Sequence, residues 1–205
     1  MGIKKRFFGN TRKPRGLFGI YMVNRMNAGH HAVLAEWALK DLPVDGEESA
    51  LDIGCGGGAN IARLLERCRT VSGIDYSRVS VSKSRKLNKR AVRDGRCNVV
   101  EGNVSSLPFD DGSFDLVTAF ETIYFWPDIV NCYRQVHRVL KPSGRFVIIN
   151  ESDGSKPTDG KWEAIIDGMH TYTPEEIETG LKAAGFNSVD ITRGSNHFIR
   201  VVAAK

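Results

Sequence analysis

Cysteine is scarce in this chain and never paired in sequence: Cys55, Cys68, Cys97 and Cys132 stand alone among 205 residues. No CxxC pair and no Cys/His spacing suited to a metal occurs, so neither a zinc ribbon nor a disulfide framework is expected. Unpaired thiols fit a reducing, cytoplasmic setting. Nothing approaches 18 consecutive apolar residues, and no membrane-spanning helix is expected. Acids are missing from the first 16 positions, which hold Lys4, Lys5, Arg6, Arg12, Lys13 and Arg15. No apolar stretch follows that basic start, so it does not read as a secretory signal. Arg6 stands where a myristoylation signal would have Ser or Thr.

What is present is enough apolar content (41%) to bury a substantial core within one domain. The net charge is +5, yet without those six residues the rest of the chain has one more acid than it has bases. A basic arm over 1–16 can bind nucleic acid or an anionic surface, but a short charged end is more often merely solvated, and that reading is preferred. The expected organisation is a single domain, 1–205, with the arm at 1–16 and a helical lead-in at 17–45 that caps a binding site.

Short runs rich in Val, Ile and Phe alternate with segments of helical period. Strands are expected at Ala50–Ile53, Val71–Asp75, Cys97–Glu101, Phe114–Phe120 and Arg145–Asn150. Helices fill the intervals: one with Ile61, Leu64, Leu65 and Cys68 on a single face, a basic helix over 77–93 capped by Ser77, and one over 128–140 ended by Lys141-Pro142-Ser143-Gly144. Helices between successive strands are what parallel crossovers require. Thr173-Pro174-Glu175-Glu176 reads as a capped helix start running to Gly185. Two strands follow, near 187–192 and 197–203, too close together for a helical crossover, so they form an antiparallel pair. The fold class is therefore α/β: a Rossmann-like three-layer sandwich on a seven-stranded, mostly parallel sheet with an antiparallel C-terminal pair.

Leu51-Asp52-Ile53-Gly54-Cys55-Gly56-Gly57-Gly58 sits where the first strand turns into the first helix. Glycines there allow positive φ and let backbone approach a ligand, and a helix N-terminus offers free N–H donors. Asp75 closes the second strand, where an acid can accept from two ribose hydroxyls.

The glycine turn, Asp75 and several later segments together carry a specific resemblance. Ala50 to Gly58 resembles the first motif of class I S-adenosylmethionine-dependent methyltransferases, and Gly73-Ile74-Asp75-Tyr76-Ser77 the second. Glu101-Gly102-Asn103-Val104 with Leu107-Pro108-Phe109 resembles the third, Ser113 to Val117 the fourth, and Val139 to Gly144 the turn into strand five. The motifs stand in order over roughly 49–150, and Tyr172-Thr173-Pro174 with Ala184-Gly185-Phe186 resembles the family's ending. The resemblance is to the small-molecule branch with a type 11 methyltransferase domain. It implies S-adenosylmethionine as cofactor, S-adenosylhomocysteine as product, and binding by Asp52, Gly54, Cys55, Gly56, Asp75, Tyr76, Ser77, Asn103, Val104, Phe120 and Glu121. Gly54 and Gly56, and the Asp52 carboxylate, would face the methionine part. Asp75 would hold the ribose, Tyr76 and Asn103 the adenine, Phe120 and Glu121 the sulfonium end. Asn103 departs from the family's usual Asp; an amide can still accept and donate there. Asp52 has a rival reading as a cap of the glycine turn, and Cys55 one as a packing residue. Asp115 reads as structural.

Methyl transfer needs alignment more than a catalytic side chain, so the catalytic residue is left open, with His30 and Tyr124 as weak candidates. Many relatives have histidines near Tyr124 and Phe125, and this chain does not. The stretch 150–172 reads as part of a lid. There is no Asn/Asp-Pro-Pro-aromatic motif of the kind associated with methylating amide or adenine amino nitrogens. No Asp/His constellation suggests a metal, and none is expected. A small-molecule acceptor is preferred, its identity and the oligomeric state left open. The alternatives are RNA or protein methylation guided by the basic arm, a non-catalytic adenosyl-ligand binding protein, and an NAD-dependent oxidoreductase, whose fingerprint has Ala59 at its last glycine.

Overall fold

The computed structural model describes Gly16, Tyr21 and residues 30–205. The rest of the basic arm, and the lead-in before residue 30 apart from Tyr21, lie outside the described residues. The elements run α1 (His30–Lys40), β1 (Ser49–Ile53), α2 (Ala59–Leu65), β2 (Thr70–Asp75), α3 (Arg78–Leu87), α4 (Lys89–Arg93), β3 (Cys97–Glu101), β4 (Phe114–Phe120), α5 (Ile129–Val139), β5 (Leu140–Asn150), α6 (Asp159–Ile165), α7 (Pro174–Ala183), β6 (Ser188–Arg193) and β7 (Ile199–Ala204).

The sheet has seven strands in the order β3-β2-β1-β4-β5-β7-β6. Pairings among β1 to β5 are parallel, and β7 lies antiparallel between β5 and β6. Its central strands are buried on both faces, and their alternation splits the core in two. Leu51, Ile53, Val117, Phe146 and Ile148 pack with Tyr133 and Val136 of α5 and Leu181 of α7. Ala50, Leu116, Val147 and Ile149 pack with Leu34 of α1, Ile61 of α2 and Val81 of α3. Helices on both faces of a parallel sheet explain the near-continuous apolar runs in β4 and β5.

Helix α6 falls in the stretch read only as part of a lid, and two further elements differ from the sequence reading. The basic helix is broken at Asn88 into α3 and α4, because the buried Asn88 amide turns inward and donates to Gly58 O and Ser84 O, both at 3.0 Å. Strand β5 begins at Leu140 rather than Arg145: Leu140 pairs with Phe114 and Arg145 with Leu116, so Lys141–Gly144 bulges within the strand. The α7 start is as the spacing predicts, a capping box between Thr173 and Glu176 with Pro174 in the first turn.

Helix α1 is held on the sheet by arginines that reach its last carbonyls, the groups a helix leaves unpaired at that end. Arg200 donates to Ala38 O at 3.0 Å, and Arg67 to Leu39 O and to Leu42 O. Trp37 packs on Phe198 with ring centres 5.8 Å apart. At the opposite end of the sheet from the glycine loop, Asp115 accepts from Ser49 N and Oγ and from Lys141 Nζ at 2.7 Å, as a structural residue would. No helix among the described residues is long and apolar enough to cross a membrane.

Candidate functional site

Strand order reverses at β1, since β2 and β3 lie on one side of it and β4 and β5 on the other. Open α/β sheets bind ligands outside the carboxyl ends of the strands at such a switch point. A cleft of about 210 Å³ lies there, walled by residues from α1, the glycine loop and the ends of β2, β3 and β4. An apolar cavity of about 150 Å³ holds one benzene ring, so this cleft takes a ligand larger than a single ring.

The glycine loop is its floor. Gly54 N and Cys55 N both donate to Ile74 O, at 2.8 and 3.1 Å, and tie the loop to the end of β2. Gly54, Gly56 and Gly58 all have positive φ. At Gly56 an added Cβ would meet nothing closer than 4.0 Å, so the missing side chain leaves open space on the cleft side. Asp75 is buried and braced by two backbone donors, Gly56 N to Oδ2 at 3.0 Å and Ser77 N to Oδ1 at 2.8 Å. These two bonds fix the orientation of its carboxylate at the cleft.

The structure brings nine of the eleven expected binding positions to the cleft: Gly54, Cys55, Gly56, Asp75, Tyr76, Asn103, Val104, Phe120 and Glu121. Asp52 and Ser77 do not line it. Asp52 lies within the sheet, 1% exposed, with Thr118 Oγ1 donating to its Oδ1 at 2.9 Å and no hydrogen-bond partner on Oδ2. Burial, with the Asp75 charge adding to it and the Thr118 bond opposing, pushes its carboxyl up to about 7. Ser77 caps α3 instead, accepting from Ser80 N. The Asn103 side chain closes a local turn, its Oδ1 accepting from Ser105 N at 3.0 Å. That leaves the amide nitrogen to donate. The Cys55 thiol is buried, and burial beside Asp52 and Asp75 raises it well above the usual range, so it is not a nucleophile.

Of the two catalytic candidates, Tyr124 is buried behind the cleft wall rather than lining it, and its hydroxyl donates to Glu121 Oε1 at 3.3 Å. The His30 side chain lies outside what the structure describes. Its neighbour His31 does line the cleft, as do Leu34, Asn60, Ser80, Thr122, Phe125, Trp126 and Pro127. Of these, His31 and Leu34 share a helical face of α1. Asn60 and Ser80 open α2 and α3, a place adjoining the strand ends in any such fold. Ser80 Oγ is buried and has no hydrogen-bond partner, an orphaned donor and acceptor at the cleft wall. Trp126 stacks on Phe146 in the core and donates Nε1–H to Thr122 Oγ1 at 2.8 Å, so only its edge reaches the cleft. Among the described residues no group of three or more His, Cys, Asp or Glu side chains could hold a metal ion.

Comparison with known proteins agrees with this geometry. Residues 51–148 match the family model described as a methyltransferase domain. A cycloartenol-C-24-methyltransferase of Oryza sativa subsp. japonica is 33% identical over 133 residues, 63% of this chain and 36% of its own length. The chain thus spans little more than a third of that relative. The methyltransferase YdaC of Bacillus subtilis (strain 168) is 25% identical over 80% of this chain and 85% of its own. A solved structure of an S-adenosylmethionine-dependent methyltransferase from Aquifex aeolicus superposes with a TM-score of 0.75 at 18% identity, covering 90% of this chain and 97% of that one. The fold is therefore the Rossmann-like methyltransferase fold. In sequence over residues 51–148, and in fold, the chain is similar to the S-adenosylmethionine-dependent methyltransferases.

Proposed function

We propose that the protein transfers a methyl group from S-adenosylmethionine to a small-molecule acceptor in this cleft. The observation that carries the reading is the braced Asp75 carboxylate beside a glycine floor at the switch point. The residues fit an adenosyl ligand. Asp75, held at the end of β2 with its carboxylate on the cleft, accepts from the ribose hydroxyls. The Asn103 amide nitrogen donates to an adenine ring nitrogen, and the orphaned Ser80 hydroxyl gains a polar partner. Gly54 and Gly56 bring backbone to the amino-acid end, while Phe120 and Glu121 flank the sulfur. Asp52 and Ser77 act from behind, as supports of the β1 end and of the Asp75 loop.

The donor supplies a methyl group on a sulfonium, already an excellent leaving group, so the protein's work is to orient the acceptor and exclude water. The wall formed by Leu34, Phe125, Trp126 and Pro127 suits an acceptor with an apolar part, and His31 is the side chain there that can hold a proton. Two relatives are named for small substrates, cycloartenol and sarcosine or dimethylglycine. Four buried free thiols support a reducing, cytoplasmic location.

Calorimetric titration with S-adenosylmethionine, S-adenosylhomocysteine and NAD tests the reading. Micromolar binding of the adenosyl ligands without NAD binding is expected. Asp75→Ala removes hydrogen bonds to a charged group, each worth about 1.5–3 kcal/mol, so adenosyl affinity should fall at least about tenfold. Unchanged affinity in that variant would mean the ribose sits elsewhere.

A further inference from the structure

At the end of β4 the backbone turns left-handed at Glu121, with φ +58. Glycine adopts that conformation freely and glutamate does not, so it persists only where the surroundings over-determine it. Here they do. Glu121 N donates to Ile149 O at 2.8 Å, and its Oε1 accepts from Glu151 N and from the Tyr124 hydroxyl. The carboxyl is thereby clamped at the cleft wall.

Among the described residues its charged and titratable surroundings are few. Tyr124 stands behind it. The chain after β5 brings Glu151, a second carboxyl, and Lys156, whose ammonium donates to Glu151 O. On α1, His31 lines the same cleft, and Asp75 lies two strands away at the end of β2. Partial burial, with the Glu151 charge adding to it, opposes ionisation and pushes the Glu121 carboxyl up to about 8.

Among the described residues the cleft is electrically one-sided. Its β3 wall, Gly102 to Val104, has no charged side chain; Asp75 sits in the middle; the β4 wall has Glu121. A ligand with its ribose on Asp75 carries a neutral base at one end and, at the other, an ammonium and a carboxylate that cancel, which leaves the donor the net positive charge of its sulfonium. Charge complementarity sends the cationic end to the β4 wall. Donor and product differ there by one unit of charge, that of the sulfonium.

We propose that Glu121 reads the charge on sulfur: it gives up its proton to solvent when the sulfonium donor occupies the cleft and keeps it with the neutral thioether product. This rests on the donor reading above. The carboxylate left after proton release pairs with the sulfonium and favours donor over product. When the methyl group leaves, sulfur keeps the bonding electron pair and becomes neutral, and the carboxylate regains one proton, from solvent or from the acceptor.

The test is calorimetry at pH 7 in buffers of different ionisation enthalpy, phosphate and Tris, on wild type and Glu121→Gln. Wild type should release roughly half to one proton per S-adenosylmethionine bound and close to none per S-adenosylhomocysteine. Glu121→Gln should release none with either, bind the donor about tenfold more weakly and leave product affinity within about twofold. Equal release with both ligands would mean the carboxyl pairs with the shared ammonium and would overturn the proposal. So would no release with the donor, or release that persists in the variant. Wild-type protein that binds neither ligand fails the donor reading itself, a different result from binding without proton release. Should Glu121→Gln not fold, the wild-type comparison of the two ligands decides alone.

Discussion

Gly58 opens α2 with φ +84, and an added Cβ there would lie 2.4 Å from Ser84 Oγ, 2.6 Å from Asn88 Nδ2 and 2.8 Å from Ser84 Cα. The last is backbone of α3 and cannot swing aside. Gly58→Ala therefore has two costs. A left-handed alanine costs about 1–2 kcal/mol, and forcing α2 away from α3 costs about 1–3 kcal/mol as overpacking does in a core. The expected loss is about 2–5 kcal/mol, a large share of the roughly 5–15 kcal/mol that holds a native domain together. Gly95→Ala is the control. Gly95 has φ +73, but nothing lies within 4 Å of its would-be Cβ, so only the backbone cost applies. Urea unfolding followed by circular dichroism would compare the midpoints of the two variants with wild type at unchanged slope. The Gly58 variant should be less stable than the Gly95 variant by about 1–3 kcal/mol. Equal losses, within roughly 0.5 kcal/mol, would show that the α2–α3 contact yields freely and would refute the reasoning.

Two further predictions concern stability. Asp52 has a folded value raised to about 7 above an unfolded value near 3.9. Its contribution is fully present below about pH 4 and is lost as pH rises through 7, a change on the order of 4 kcal/mol. Asp52→Asn should flatten that decline; urea midpoints at pH 4, 6 and 8 that run parallel in the two proteins would contradict it. Thr173→Ala removes the side-chain half of the α7 capping box, the bond from Glu176 N at 3.3 Å, and should cost about 1 kcal/mol. A midpoint unchanged by that substitution would mean the cap contributes nothing measurable.

The glycine loop was legible because its chemistry is local. Gly54 and Gly56 need positive φ at the end of a strand, and Asp75 stands at the end of the next strand, so sequence order alone placed both at one edge of the sheet. Asp52 shows where that logic stops. It sits two residues before Gly54, yet strand alternation and the Thr118 hydroxyl two positions from the end of β4 take it into the interior. Tyr124 is similar: the segment after β4 turns through a short 3₁₀ stretch, Ile123–Phe125, which sends Phe125 to the cleft and Tyr124 behind Glu121. His31 was within the lead-in singled out, but only the docking of α1 across the sheet selects it from the side chains around it.

The sequence by itself determined the element types, the parallel β1–β5 series with its antiparallel ending, the glycine floor and the Asp75 position. Those depend on periodicity, turn chemistry and chain direction, which are properties of neighbours along the chain. Tertiary structure alone decided that β7 inserts between β5 and β6, that Asn88 breaks the basic helix to bond Gly58, and that Glu121 is clamped by Glu151 and Tyr124 at the cleft. Each of these depends on contacts between residues that only packing brings together, and no local pattern encodes which partner a buried polar group will find.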